Sequence, residues 1–452
     1  MREQQLLNGI WDYRIGQGAY TKKQVPYSDL SVGISECKRI FKSIKGYSRA
    51  FLVLEGITYQ AIVNVNGHEL GTMYPYCQYR YEVTDILKDE NEISVVIKDT
   101  VLDFGPSAGW ENYSGITRDV YIEYTDKSII KDVIWEAFVN EALDLAQCTV
   151  KAETEYKGQG EIIVKLQDNN GETVYETLAE AKEKDYSFIV SNPALWSPDK
   201  PTLYNLSVHL VVDGKLSDSK SYRVGFKRLE IFGRKFKLNG KIFFFHGVCR
   251  HELYGDLGHM VSDEQIRKDL QIIKDLGCNY VRLVHYPHKK KTLEIADEMG
   301  LFVSEEPGLW QAKMTDLNKV NGSIEVMRRT VIRDRNHVSV AFWLCFNECQ
   351  LTEEFLKASV KVCRDNDRTR LISGANNMPK EYVKEVFPGS GVDFYTMHPY
   401  DSSSRLMREY AAYLTDKPLI FTEWGGLCVT DRLDTLKEEI YAIVEMEKNS
   451  DD

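Results

Sequence analysis

The sequence predicts a multidomain chain in which two all-β modules precede a (β/α)8-type TIM barrel, and three observations carry that reading. Alternating apolar and polar residues, broken by Asn-Gly and Asp-Gly pairs, fill the first half and mark antiparallel strands joined by tight hairpins. From about residue 227 short apolar runs alternate with segments of helical periodicity, which implies a parallel sheet flanked by helices. The length of 452 residues exceeds what one hydrophobic core usually serves.

Residues 1–125 form the first β module, where Ala61-Ile62-Val63-Asn64-Val65 runs into the Asn66-Gly67 turn. Residues 126–226 read as a second, smaller β-sandwich: Ile162, Val164 and Leu166 alternate before Asn170-Gly171, and Leu206, Val208 and Leu210 alternate before Asp213-Gly214. Residues 227–452 form the α/β domain. Its first helix is marked by Ser262 with Gln265 as a capping box, by an apolar face of Ile266, Leu270 and Ile273, and by Gly277 as a stop. Strands are expected near 242–248, 279–284, 301–304, 340–346, 370–373, 393–397 and 418–422, with further helices near 289–299, 321–335, 352–365, 379–387, 402–414 and 431–448. A closed barrel of this type has eight strands. Seven are legible, so the prediction is an open barrel with the last helix packed outside it.

Two of these strands end on acids. Val340-Ala341-Phe342-Trp343-Leu344-Cys345-Phe346-Asn347 leads into Glu348, and Pro418-Leu419-Ile420-Phe421-Thr422 leads into Glu423. The C-terminal ends of barrel strands form the catalytic face, and two carboxylic acids there are the minimal equipment for cleaving a glycosidic bond. Glu305 and Glu306 also end a strand and are the competing pair. A net charge of -11, from 57 basic and 68 acidic residues, argues against nucleic acid or an anionic membrane surface as partner and for a neutral or locally recognised substrate, such as the carbohydrate the paired acids would cleave. The start, Met1-Arg2-Glu3-Gln4-Gln5, has no apolar leader and no later stretch is long enough to span a bilayer, so the expectation is a cytoplasmic protein. The nine cysteines are odd in number and scattered without C-x-x-C pairs, as reduced thiols would be. No metal site and no cofactor fingerprint stands out; Asp256 with His259 is a weak candidate. Self-association into a homo-oligomer is compatible with all of this.

Several local runs resemble glycoside hydrolase family 2, and the resemblance covers essentially the whole chain. Asn279-Tyr280-Val281-Arg282-Leu283-Val284-His285-Tyr286-Pro287, with Asp297 and Gly300-Leu301-Phe302-Val303 after it, is similar to the family's first barrel signature, departing from it at Leu283 and Val284. Asp334-Arg335-Asn336-His337-Val338-Ser339-Val340-Ala341-Phe342-Trp343 running into Asn347-Glu348 resembles the acid/base signature. Leu195-Trp196-Ser197-Pro198 and Val224-Gly225-Phe226 look like the end of its immunoglobulin-like domain and the entry to its barrel. Leu7-Asn8-Gly9-Ile10-Trp11 and Ser114-Gly115-Ile116-Thr117-Arg118-Asp119-Val120 look like its jelly-roll domain.

The resemblance implies that Glu348 is the general acid and then base, that Glu423 is the nucleophile, and that Tyr400 hydrogen-bonds the nucleophile. Glu348 is expected to begin protonated, its pKa raised by the charge of Glu423. Among the neighbours, Asn347 is placed to donate to the sugar 2-hydroxyl and Arg282 to hold Glu423 ionised. His251, His285 and His398 are expected to line the pocket as neutral donors, and Trp310 or Trp424 to stack on a sugar face. Each has a plainer alternative as a hydrogen-bonded structural residue, a rim ion pair or core packing. Asn112-Tyr113-Ser114-Gly115-Ile116 resembles β-glucuronidases and Arg250-His251-Glu252 resembles β-galactosidases, so the sugar stays open between the two. A non-catalytic carbohydrate-binding or truncated relative of such an enzyme is the reading from another functional class.

Overall fold

A computed structural model describes residues 2–30, 32–98, 113–400 and 405–424. The N-terminal jelly-roll module is built on a four-stranded and a six-stranded antiparallel sheet, the latter ordered Thr21–Val25, Gly9–Ile15, Ile34–Lys42, Glu90–Lys98, Gln60–Val65 and His68–Met73. Asn66 and Gly67 both have positive φ (51° and 81°), as the hairpin turn between the last two strands requires. In the immunoglobulin-like module, three strands face a sheet of four. Ile162, Val164 and Leu166 lie opposite Leu210, Val208 and Leu206, and all six are fully buried between the sheets.

The α/β domain has parallel strands β1 (Gly247–His251), β2 (Tyr280–Val284), β3 (Phe302–Glu305), β4 (Val340–Asn347), β5 (Leu371–Ala375), β6 (Tyr395–Met397) and β7 (Leu419–Phe421). The helices are α1 (Asp263–Asp275), α2 (Lys290–Met299), α3 (Leu317–Asp334), α4 (Glu353–Asn366), α5 (Lys380–Ser390) and α6 (Arg405–Tyr413). The expected helix at 431–448 lies outside the described residues. At α1 only half of the expected capping box forms: the Ser262 hydroxyl accepts from the Gln265 amide at 3.1 Å, while the Gln265 side chain donates to Tyr254 and Asp269.

The expectation for the first strand needs correcting. Residues Lys241–Phe243 pair antiparallel with Lys235–Leu238 across the Asn239-Gly240 turn, and β1 begins only at Gly247. Phe236, Phe243 and Phe245 of this segment pack against Tyr280, Phe302, Phe342 and Phe394, filling the bottom of the barrel with aromatic rings. The seven strands also do not form one continuous ladder: β1 to β5 make one sheet and β6 with β7 a second. Between β5 and β6 side chains stand in for the backbone pairing. Ser373 donates to the Phe394 carbonyl at 2.8 Å, Asn376 to that of Thr396 at 2.6 Å, and Thr396 back to Gly374.

Both β modules are clamped to the barrel. Arg118 donates to the carbonyls of Tyr76 and Pro287 at 2.8 and 2.7 Å, and the rings of Tyr76 and Tyr286 stack at 4.4 Å. On the other side, Asn336 accepts from the Trp135 amide at 2.9 Å and donates to the Val133 carbonyl at 2.8 Å. His337 lies 2.6 Å from Asp297, whose other oxygen accepts from the Ser339 amide at 2.7 Å. The signature at 334–343 therefore docks one domain on another as well as leading into the site. Among the described residues no helix is long and apolar enough to cross a membrane. Truncating Asn336 leaves two buried backbone groups of the neighbouring strand unpaired, so Asn336→Ala should lower stability by about 2–3 kcal/mol. The check is a drop of several degrees in melting temperature relative to the unaltered chain; an unchanged value contradicts the clamp.

Candidate active site

The site rests on layers set by the two-residue period of the strands. Tyr280 on β2 meets Ser304 on β3 at 2.6 Å above the aromatic floor. Two residues further along, Arg282 and Glu306 form the next layer, with a 2.6 Å bond from the guanidinium Nε to the carboxylate. Arg282 is 1% exposed. Its Nη1 donates to Glu423 at 2.5 Å and its Nη2 to the Asn347 side-chain oxygen at 2.8 Å. One cation thus ties together the ends of β2, β4 and β7. Burial works against its charge, but Glu306 and then Glu423 hold its pKa well above the ordinary arginine value.

At the end of β4 the ladder with β5 slips between Leu344 and Asn347, and Glu348 takes a left-handed backbone with φ of 49°. A non-glycine residue there is uncommon and marks a position where side-chain direction outweighs backbone preference. The Glu348 amide is fixed by the Ala375 carbonyl at 2.8 Å. Next to it, a Cβ on Gly374 would meet the Phe346 ring at 1.9 Å, so only glycine fits under β4 at that point.

The two acids have opposite surroundings. Burial pushes Glu423 up, but Arg282, then His398 and His285, and a hydrogen bond from Tyr400 bring it down to about 2. Glu348 accepts from the Trp310 indole at 2.9 Å and lies 2.6 Å from His398 Nδ1. For Glu348 too burial raises the pKa, but His398 and Trp310 outweigh it and leave the carboxyl below the usual glutamate value; the charge of Glu423 opposes them weakly. The expectation of a raised Glu348 is therefore corrected: hydrogen bonds to the carboxylate, invisible in the sequence, exceed the like-charge repulsion. Burial first holds His398 below the ordinary histidine value, so it is neutral near pH 7. Its Nδ1 then carries the proton donated to Glu348, and Nε2 accepts from the Thr422 hydroxyl at 2.9 Å.

A Glu348 oxygen, a His398 nitrogen and a Glu423 oxygen lie within 4.8 Å of one another. These are metal-ligating atom types, but in this arrangement His398 has both ring nitrogens engaged and no lone pair left for an ion. Asn347 is fully buried, and its Nδ2 has no hydrogen-bond partner among the described residues. His285 lies 3.3 Å from Glu306 and 3.6 Å from Glu423. His251 is pushed down to about 4 by burial and then by His285, and its Nδ1 is 3.4 Å from the Tyr286 hydroxyl. Trp424 is half-buried beside Glu423 in the chain. Of the competing acids, Glu306 belongs to the Arg282 network, whereas both oxygens of Glu305 lack a hydrogen bond and its nearest cation, Arg333, is 3.6 Å away. Thr422, which orients His398, went unnoticed in the sequence although it immediately precedes Glu423.

Three family models match the chain: the glycosyl hydrolases family 2 galactose-binding domain-like model over residues 36–112, the family 2 model over 128–227, and the family 2 TIM barrel domain over 229–432. A beta-galactosidase of Thermoanaerobacter pseudethanolicus is 29% identical over 78% of this chain and 50% of its own length. A beta-galactosidase of Thermoanaerobacterium thermosulfurigenes is 27% identical over 93% of this chain and 62% of its own. The chain thus spans about half to three fifths of these curated relatives. Among solved structures, a beta-D-glucuronidase of Dictyoglomus thermophilum superimposes with a TM-score of 0.85 at 25% identity, covering 98% of this chain and 88% of that one. A β-glucuronidase of Ruminococcus gnavus gives 0.86 at 21% identity over 98% of this chain and 89% of its own. With all three modules matched in order, the chain belongs to glycosyl hydrolase family 2.

Proposed function

We propose that the chain is a retaining exo-β-glycosidase, removing terminal β-linked galactose or glucuronic acid by double displacement. The observation that carries this is the spacing of Glu348 and Glu423, whose nearest ligand oxygens are no more than 4.8 Å apart. A gap this small fits the closely set carboxyls of retaining enzymes, about 5–5.5 Å apart, better than those of inverting enzymes, which stand about 6.5–9.5 Å apart to admit a water. Relatives named β-galactosidase and β-glucuronidase support both sugars.

In this reading Glu423, kept ionised by Arg282, attacks the anomeric carbon, and the bond to the leaving-group oxygen breaks as Glu348 delivers a proton to it. Ester formation removes the charge of Glu423. Glu348, having given up its proton and no longer facing that charge, stays ionised more readily and, as the carboxylate, takes a proton from the water that releases the sugar with its configuration retained. The unpartnered Asn347 Nδ2 is the donor for the sugar 2-hydroxyl. His251, held neutral by burial, and His285 are donors at the wall, and Trp310 and Trp424 offer faces for the ring. His398 takes a different part from the one the sequence suggested: with both nitrogens used, it positions Glu348 and tunes its proton.

Chemical rescue separates the two acids. Glu423→Ala should lose turnover of every substrate, and azide entering the cavity should give a glycosyl azide of inverted configuration. Glu348→Ala should keep the first step for dinitrophenyl glycosides, whose leaving group needs no proton, and azide should give a retained product. The same configuration from both variants would withdraw the assignment, and saturable sugar binding without release in the unaltered chain would instead fit a binding protein.

The pH profile tests His398. Because its hydrogen bond depresses Glu348, the acid form persists only at low pH, and kcat/KM should already be falling as pH rises through values below the ordinary glutamate pKa. In His398→Phe that bond is lost while burial and Glu423 still push Glu348 up, so the basic limb should move to higher pH. An unmoved limb, or one moved downward, contradicts the role.

A further inference from the structure

The junction of jelly roll and barrel carries a second polar site, remote in composition from the catalytic one. Arg80, on the strand Tyr79–Glu82, and Arg328, Arg329 and Arg333, on α3, line one cleft of about 200 Å³ with Cys77 and Thr330. Four arginines facing one cleft are unexpected in a chain of net charge -11, which otherwise repels anions.

The side chains are held in place by the packing of the two domains. The Arg329 guanidinium lies 3.6 Å over the Tyr79 ring and donates Nη1 to the Gln78 carbonyl at 3.2 Å, and that of Arg80 lies 3.3 Å over Phe51. Each guanidinium uses only part of its donor set on protein. Arg80 gives Nε and Nη2 to Glu123, Arg328 gives Nε and Nη2 to Glu325, and Arg333 gives Nε and Nη2 to Asp334. Arg329 gives Nε to Glu325 as well as Nη1 to Gln78. Nη1 of Arg80, Arg328 and Arg333 and Nη2 of Arg329 have no partner among the described residues.

The charges do not cancel either. Arg328 and Arg329 share the single carboxylate of Glu325. Arg333 has Glu305 as a second acidic neighbour at 3.6 Å, a carboxyl that burial and then Asp334 hold well above the ordinary glutamate value. Excess positive charge and free donors thus coincide.

We propose that this cleft binds a tetrahedral oxyanion, a phosphate or a sulfate group, through the four unused Nη nitrogens contributed by the two domains. A carboxylate presents two oxygens in one plane, whereas phosphate and sulfate present three or four around a centre, which suits donors arriving from a strand on one side and a helix on the other. Such a ligand bridges jelly roll and barrel, independently of what the catalytic pocket cleaves.

The test is calorimetric titration of the full chain with inorganic phosphate, inorganic sulfate and galactose 6-sulfate in separate arms, at ionic strength balanced with chloride. Saturable binding is expected in at least one arm; preference for the ester identifies a sugar-borne group, and preference for the free ions identifies the ion itself. Arg328→Gln combined with Arg329→Gln should weaken it by about tenfold or more, since two charge-assisted bonds are lost. Arg80→Gln, from the other domain, should weaken it as well. Glu325→Gln, which frees both helix arginines, should tighten it. Absence of saturable binding in all arms overturns the proposal, as does unchanged affinity in the arginine variants that keep the melting temperature of the unaltered chain in chloride.

Discussion

The buried guanidinium of Arg282 is the constraint on which the rest of the site depends. A cation 1% exposed is tolerated only when carboxylates and carbonyls surround it, and here Glu306, Glu423, Asn347 and the Thr422 carbonyl do so. The demand runs in both directions. Glu306 and Glu423 are themselves drawn out of water, and either would be an uncompensated buried charge without Arg282. Breaking such a pair costs several kcal/mol, which makes the arrangement rigid as well as polar. The aromatic floor below and the hydrogen-bonded Tyr280–Ser304 layer leave the guanidinium no other place to go.

From this hub the two acids acquire different chemistry by position alone. Glu423 faces the cation and stays ionised down to about pH 2. Glu348, on a strained backbone one residue past β4, faces a histidine and an indole. Its proton is governed by short-range hydrogen bonds more than by the neighbouring carboxylate. Linkage gives the same network a cost at low pH: the stability that Glu423 contributes is complete above the ordinary glutamate range and is lost as pH falls toward about 2.

Much of this was legible in the residues. The buried runs of β4 and β7, the alternation of Ile162, Val164 and Leu166 against Leu206, Val208 and Leu210, and the Asn66-Gly67 turn are local patterns whose physical cause is local. What escaped depended on contacts distant in the chain. The first strand was placed too early because Ile242 and Phe243 are apolar, although the preceding Asn239-Gly240 pair was a hairpin signal pointing the other way. Glu305 and Glu306 could not be told apart as a pair, yet the period of two through Ser304 places Glu306 in the interior layer. The partner of His398 lies 50 residues away, so no spacing rule could show that its ring holds Glu348 instead of a sugar hydroxyl. Asn336, part of the most recognisable motif, turned out to join domains through Trp135, while its neighbour His337 is tied to Asp297 within the barrel.

The central claim is that Arg282 fixes the charge of Glu423 and with it the division of labour between the two acids. Carbon-13 NMR of glutamate side chains, with the Glu423 carboxyl identified by its disappearance in Glu423→Gln, measures that charge directly. The account predicts a resonance still that of the carboxylate at pH 3, consistent with a pKa of about 2. A carboxyl that titrates at or above the ordinary glutamate value of about 4.3 would contradict it.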